Sequence, residues 1–236
     1  MNGAFQDQEI LLARLGVGGE GRWIRRGRGN ALQPSQVALR DSLKRLLDVT
    51  VCLVSLPVVI PTLALCAVAI RIESPGPVIF VQRRTGRDGK RFSMLKLRTM
   101  VQDAEQLKEK LRELNALGFP DFKITDDPRV TRVGRWLRRT SLDELPQVFN
   151  VLKGEMTIVG PRPTSFHPST YSLWHTARLA ATPGLTGLWQ ISGRSEIGFD
   201  ERSRLDIAYI RDRSTRLDVE IMVRTIGSVI GGRGAG

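Results

Sequence analysis

Cysteine is nearly absent from this chain: two residues in 236, Cys52 and Cys66. That excludes a disulfide framework and a cysteine-built zinc site, and it fits a reducing, cytoplasmic setting. Histidine is equally scarce. His167 and His175 have no companions at ligand spacing, so both read as structural or incidental. Negative charge is also short, with 24 Asp and Glu against 36 Lys and Arg, a formal net charge of +12 and a pI near 10.7. Such a surplus points to anionic partners: nucleic acid, acidic lipid head groups or phosphorylated substrates.

One stretch lacks charge altogether. Val49 to Ile70 is a 22-residue uncharged run with Pro57 and Pro61 near its middle, and it contains both cysteines. As a straight helix it would be roughly 33 Å long, against a bilayer core of about 30 Å. Length alone predicts a single spanning helix. Two features oppose that. Arg40, Lys44 and Arg45 precede the run, and Arg71, Arg83, Arg84, Arg87, Lys90 and Arg91 follow it. Basic flanks favour the cytoplasmic side, so both ends prefer the same face. Proline removes a backbone donor and clashes with the preceding turn, which predicts a kink at Pro57–Pro61. The expectation is a re-entrant helix over 40–73 with both flanks cytoplasmic.

Residues 1–39 read as a flexible basic tail, Gly- and Arg-rich over 16–30 and suited to touch acidic lipid. It is not a typical signal peptide. Residues 74–236 are long enough for a globular catalytic domain. Ser74-Pro75-Gly76-Pro77 stops the membrane helix. Two β-rich segments around Arg87-Asp88-Gly89-Lys90 predict a hairpin with Asp88-Gly89 at its turn. Apolar spacings of three and four predict a helix over 102–118, and further helices are expected over 205–211 and 219–230. The sum is an α+β chain, predominantly helical, with a small β-hairpin and amphipathic surface helices.

Arg129, Arg132, Arg135, Arg138 and Arg139 crowd the approach to an acidic pair, Asp143-Glu144. The local reading is a capping box, Ser141-Leu142-Asp143-Glu144, at a helix start. The chemical reading is a carboxylate kept ionised by cations, able to attack phosphorus or hold a metal ion. The two are compatible, because a helix N-terminus also attracts phosphate. Gly160-Pro161-Arg162-Pro163 sets one arginine between two prolines, ready for a phosphate or carboxylate or serving as a plain loop. Trp189 could stack on a base, but a core position is the better expectation.

Five stretches in one order carry a resemblance: LKRLLD (43–48), ESPGPVIFVQRRTGRDGKRFSMLKLRTM (73–100), DDPRVTRVGRWLRRTSLDELPQVFNVLKGEMTIVGPRP (126–163), TPGLTGLWQISGR (182–194) and Asp206-x-x-Tyr209-Ile210. Over about 43–234 the chain resembles the bacterial sugar transferases that are monotopic phosphoglycosyl transferases, including the undecaprenyl-phosphate galactose- and glucose-phosphate transferases of exopolysaccharide initiation. The resemblance implies transfer of a sugar phosphate from a UDP-sugar to undecaprenyl phosphate, with UMP released and an aspartyl-phosphosugar intermediate. It implies Asp143 and Glu144 as catalytic residues, Mg²⁺ as cofactor with Asp143 as a ligand, and Arg138 and Arg162 as leading phosphate ligands. Lys96 and Arg98 rank behind them. The implied location is the inner face of the bacterial cytoplasmic membrane, with lipids and the two substrates as partners and a homodimer allowed.

The chain departs from the family where Pro61 follows Ile60 rather than a serine, which puts the break point in doubt. It reads as the short form, without the multi-helix domain of larger members. Two rival classes remain. A nucleic-acid-binding protein would explain the charge but not the uncharged run, and no recognition-helix or RNA-module pattern is present. A membrane-anchored scaffold would make Asp143-Glu144 a mere helix cap.

Overall fold

The computed structural model describes residues 34–110, 124, 126–167, 172–192 and 198–230. The expected basic tail lies outside these residues except for its last six positions, and so does the second half of the helix expected over 102–118. Helix α1 (Pro34–Glu73) is 40 residues long and stays helical through both Pro57 and Pro61. It alone among the described helices is long and apolar enough to cross a membrane. The prolines therefore do not terminate it. Next to Pro61, the Thr62 hydroxyl donates to the Val58 carbonyl at 2.8 Å.

One stripe of α1 faces the protein. Asp48, Cys52, Val59, Cys66 and Ile70 are buried along it, at spacings that keep them on one helix face. The opposite face is apolar and bare: Val54, Val58, Leu65, Val68 and Ile72 are all exposed. Both ends are bonded to the rest of the chain. Near the start, Arg45 donates to the carbonyls of Val151 and Leu152, Lys44 pairs with Asp218 at 2.7 Å, and Asp48 accepts from Thr157 Oγ1 and the Ile158 amide. At its last residue, the Glu73 carboxylate accepts the amides of Arg132 and Val133 at 2.7 and 2.9 Å. Glu73 thus supplies partners to the open N-terminal turn of the helix that begins at Arg132.

The chain then turns through Ser74-Pro75-Gly76-Pro77, where Gly76 takes φ +109°. Strands β1 (Ile79–Thr85) and β2 (Arg91–Leu97) pair antiparallel, Ile79 opposite Leu97 and Thr85 opposite Arg91. Asp88 and Gly89 both have positive φ at the connection, the conformation the Asp-Gly signal calls for. Helix α2 (Ala104–Lys110) follows, then α3 (Arg132–Thr140), capped at its start by Thr131 Oγ1, which accepts the Gly134 amide. Gly134 is a packing requirement: a Cβ there would lie 2.0 Å from the Thr99 carbonyl oxygen. Its absence lets α3 press onto the end of the hairpin.

A 3₁₀ turn (Leu142–Glu144) leads into α4 (Gln147–Lys153). The Asn150 side chain joins α4 to β2, accepting the Leu95 amide and donating to the Ser93 carbonyl. Two three-residue strands, β3 (Thr157–Val159) and β4 (Gly184–Thr186), pair in parallel. A 3₁₀ segment (Leu173–Ala180) lies between them in sequence. The short helix α5 (Leu188–Ile191), α6 (Phe199–Asp212) and α7 (Thr215–Ile230) complete the described chain, the last two longer than the sequence predicts. The architecture is the expected α+β, mostly helical.

Three apolar clusters hold it together. Cys52 of α1 packs with Phe92, Met94, Val148, Val151 and Met156. Cys66 and Ile70, beyond the prolines, pack with Leu97 and Leu137. Val159, Leu188, Leu205, Tyr209, Leu217 and Ile221 form the third, where the Tyr209 hydroxyl donates to Asp218 Oδ1 at 2.7 Å. The first two clusters place both halves of α1 against the same hairpin, which carries Lys96 to the acidic pair.

Candidate active site

Asp143 and Glu144 sit on the single 3₁₀ turn between α3 and α4. The capping-box reading of this segment fails. Ser141 takes left-handed φ of +58°, ends α3, and makes no side-chain cap bond. The acidic residues therefore do not serve as a box; they are turned toward neighbouring cations.

The two carboxylates are held very differently. Glu144 is clamped from two sides: Lys96 Nζ donates to its Oε1 at 2.9 Å, Arg162 Nη1 to Oε2 at 3.1 Å, and Arg162 Nη2 to Oε1. Burial alone would raise its pKa, but Arg162 and Lys96 overcome it and hold the carboxyl well below the usual range. Asp143 is buried and accepts no hydrogen bond among the described residues; its nearest cation is Lys96, 3.8 Å from Oδ2. Its pKa moves the other way. Burial pushes it up, the Glu144 charge adds to that, and Lys96, Arg138 and Arg162 only partly offset it. Adjacent carboxylates in one site are thus split into a locked anion and a loosely held, more basic one, the division of labour that acid–base and nucleophilic sites use.

The arginines sort themselves less simply than the sequence implies. Arg138 is close to Asp143 in charge and is fixed by a bond from Nε to Thr99 Oγ1 at 2.9 Å. Arg162 is brought in by the loop after β3. Close approach of β3 and β4 sets that loop: a Cβ on Gly184 would meet the Gly160 amide nitrogen at 2.1 Å. Arg129 is engaged elsewhere, in a buried pair with Asp127 at 2.6 Å. Arg132, Arg135 and Arg139 are exposed. Arg98 is buried and donates to the carbonyls of Ser74 and Pro75, which ties down the turn after α1. Neither of these bonds reaches the acidic pair. Lys96, a secondary expectation, bonds Glu144 directly.

Beside the pair lies an open cleft, lined by Arg84, Arg162, Phe166, Arg178, Trp189, Phe199 and Arg202 among others. Sequence reasoning left Arg84, Arg178 and Arg202 out, because they come from three distant segments with no common spacing. Trp189 both packs on the core and lines this cleft. His175 bridges Ser172 and Asp200.

No group of three or more His, Cys, Asp or Glu suited to a metal occurs among the described residues. A magnesium ion needs fewer protein ligands, usually one or two carboxylates with water and substrate phosphate completing its shell. Asp143, which accepts no hydrogen bond, has the donor type for that; Glu144 is already bound on both oxygens.

The chain matches the family model described as bacterial sugar transferase over residues 39–232. It is 43% identical over 194 residues to the galactosyl transferase CpsE of Streptococcus agalactiae, a match covering 81% of this chain and 43% of that protein. It is 37% identical over 199 residues to the exopolysaccharide production protein ExoY of Sinorhizobium fredii, covering 81% of this chain and 87% of the other. A UDP-glucose:undecaprenyl-phosphate glucose-1-phosphate transferase of Caulobacter vibrioides is 41% identical over 201 residues, covering 80% and 70%. The chain spans less than half the length of the streptococcal protein and of several other relatives. The match runs from within α1 through α7 and includes the acidic pair with its clamp: this chain belongs to the bacterial sugar transferase family.

Proposed function

We propose that the protein transfers a sugar phosphate from a UDP-sugar to undecaprenyl phosphate, releasing UMP, as the first membrane step of exopolysaccharide or related glycoconjugate synthesis. The observation that carries this is the split between Asp143 and Glu144. An unclamped carboxylate with a raised pKa, beside three cations, suits nucleophilic attack on a phosphorus whose charge those cations offset. The names of relatives in several bacteria, which specify undecaprenyl-phosphate sugar phosphotransferases, agree with it.

In the first step an Asp143 oxygen forms a bond to the sugar-bearing phosphorus. The bond from that phosphorus to the bridging oxygen breaks, and UMP leaves with the electron pair. In the second step a phosphate oxygen of undecaprenyl phosphate attacks the same phosphorus. The Asp143–phosphorus bond breaks, which restores the carboxylate and yields undecaprenyl-diphosphate sugar. Glu144 is a poor base, because its clamp stabilises the anion. A base is not needed, since a phosphate monoester is already largely ionised at neutral pH, with a second pKa of about 6. Glu144 instead positions Lys96 and Arg162. Arg138 and Arg162 contact the diphosphate, Lys96 supports them, and Arg98 acts by fixing the turn after α1. Asp143 would also be the protein ligand of Mg²⁺, which when bound neutralises phosphate charge.

The same reading makes α1 a re-entrant wedge. Its bare apolar face suits lipid, and its two ends are tied to one folded unit. On this reading both ends of α1 lie on one side of the bilayer, the cytoplasmic side of the inner membrane. The deciding experiment is UMP release from a panel of UDP-sugars with undecaprenyl phosphate and Mg²⁺. Release dependent on Asp143 supports the reading; no release with any donor sinks it. A scaffold would keep its pathway active with alanine at both acidic positions.

A further inference from the structure

The cleft beside Glu144 is walled by aromatic rings and rimmed by arginines, and nothing in the transfer chemistry itself requires the rings. Phe166 and Phe199 meet edge to face, with centroids 5.4 Å apart. The Arg202 guanidinium lies 5.4 Å from the Trp189 ring centroid and 6.0 Å from that of Phe199. Arg84 and Arg162 line the same space. Arg178 is committed to structure: it makes a buried pair with Asp206 and donates to the Arg162 carbonyl at 2.9 Å, so it holds the loop that carries Arg162.

We propose that this cleft is the subsite for the nucleoside 5′-phosphate half of the donor, with the base on the wall formed by Phe166, Trp189 and Phe199 and the phosphates along Arg84, Arg202 and Arg162. The inference rests on the reading of the protein as a nucleotide-sugar-dependent transferase. Its force comes from the combination. Flat π faces stacked with arginine suit a nucleobase, and a fork-shaped cation suits phosphate. A polyprenyl phosphate offers no aromatic face to that wall. Arg162 is shared: it lines the cleft and chelates Glu144. A nucleotide bound there would therefore present its outer phosphate next to the acidic pair. Leaving-group binding and chemistry would meet at one guanidinium.

The test is calorimetric titration of UMP into the full chain in detergent, with Arg202→Gln and Arg84→Gln as variants. Both side chains are only partly buried, and each variant's melting temperature is compared with wild type to verify folding. The expected result is UMP binding by wild type, weakened about tenfold or more in each variant, with KM for the UDP-sugar raised more than kcat is lowered. Asp143→Asn keeps UMP binding while losing transfer. Equal UMP affinity in wild type and both folded variants, or no UMP binding by wild type, overturns the assignment. If the variants lose UMP binding but wild type transfers no phosphosugar to undecaprenyl phosphate, the subsite stands and the proposed reaction fails.

Discussion

Arg162 grips Glu144 with both terminal nitrogens, Nη1 donating to Oε2 at 3.1 Å and Nη2 to Oε1. The fork matches the carboxylate, and Lys96 completes the clamp at 2.9 Å. Because this environment lowers the Glu144 pKa, the group contributes stability above the ordinary carboxylate range and loses it as pH falls below that range. Glu144→Gln is expected to lower stability at neutral pH by about 1.5–3 kcal/mol. The gap between the wild-type and variant melting temperatures should close on acidification. A gap that is constant with pH would contradict the clamp.

Asp143 should behave in the opposite sense. Its pKa is raised in the fold, so ionisation there favours the unfolded chain, and the cost appears as pH rises through the folded value. Asp143→Asn removes that cost. The variant should melt higher than wild type at neutral pH, with the difference vanishing at acid pH, while UMP release falls to background. Near wild-type UMP release would show that another group attacks phosphorus.

Lys96 is the cation that most lowers the Asp143 pKa. Removing it should raise that pKa further. On the proposed mechanism Asp143 attacks as the ionised carboxylate, so the acid limb of the kcat/KM profile should move to higher pH in Lys96→Met. An unmoved limb, with only the plateau lowered, would separate Lys96 from the titration of Asp143.

Gly134 tests how α3 reaches the site. An added methyl would stand 2.0 Å from the Thr99 carbonyl oxygen, a backbone atom that cannot swing away. Gly134→Ala should destabilise the protein by at least about 1–3 kcal/mol, the usual range for overpacking. It should also disturb Arg138, whose Nε is bonded to the Thr99 hydroxyl. Denaturant unfolding together with the KM of the variant would show both effects.

The two tied ends of α1 carry a topological expectation. A tag at residue 30 and a second at the C-terminus should label from the same side of the membrane in intact cells or vesicles. Labelling from opposite sides would mean that α1 spans, and the bonds from Glu73 and Asp48 to one folded unit could not coexist in the membrane.

Local patterns were legible where a short segment settles its own conformation. Asp88-Gly89 marked the hairpin because both positions need positive φ, and Ser74-Pro75-Gly76-Pro77 marked the end of α1. Ser141 misled because a capping signature depends only on spacing, whereas its side chain is turned aside by left-handed backbone at the end of α3. The strands β3 and β4 were invisible: three residues each, they exist by pairing across 24 intervening residues.

The uncharged run with its two prolines, the basic surplus, and the adjacency of Asp143 and Glu144 are all properties of composition or of neighbours along the chain, and so are readable without any fold. Which cations reach which carboxylate depends on the folded packing. Arg98 and Lys96 are two residues apart, yet one ties down a turn and the other bonds Glu144. The reason is physical: ionisation depends on burial and on charges within a few ångströms, and those distances are set by packing between segments remote in sequence.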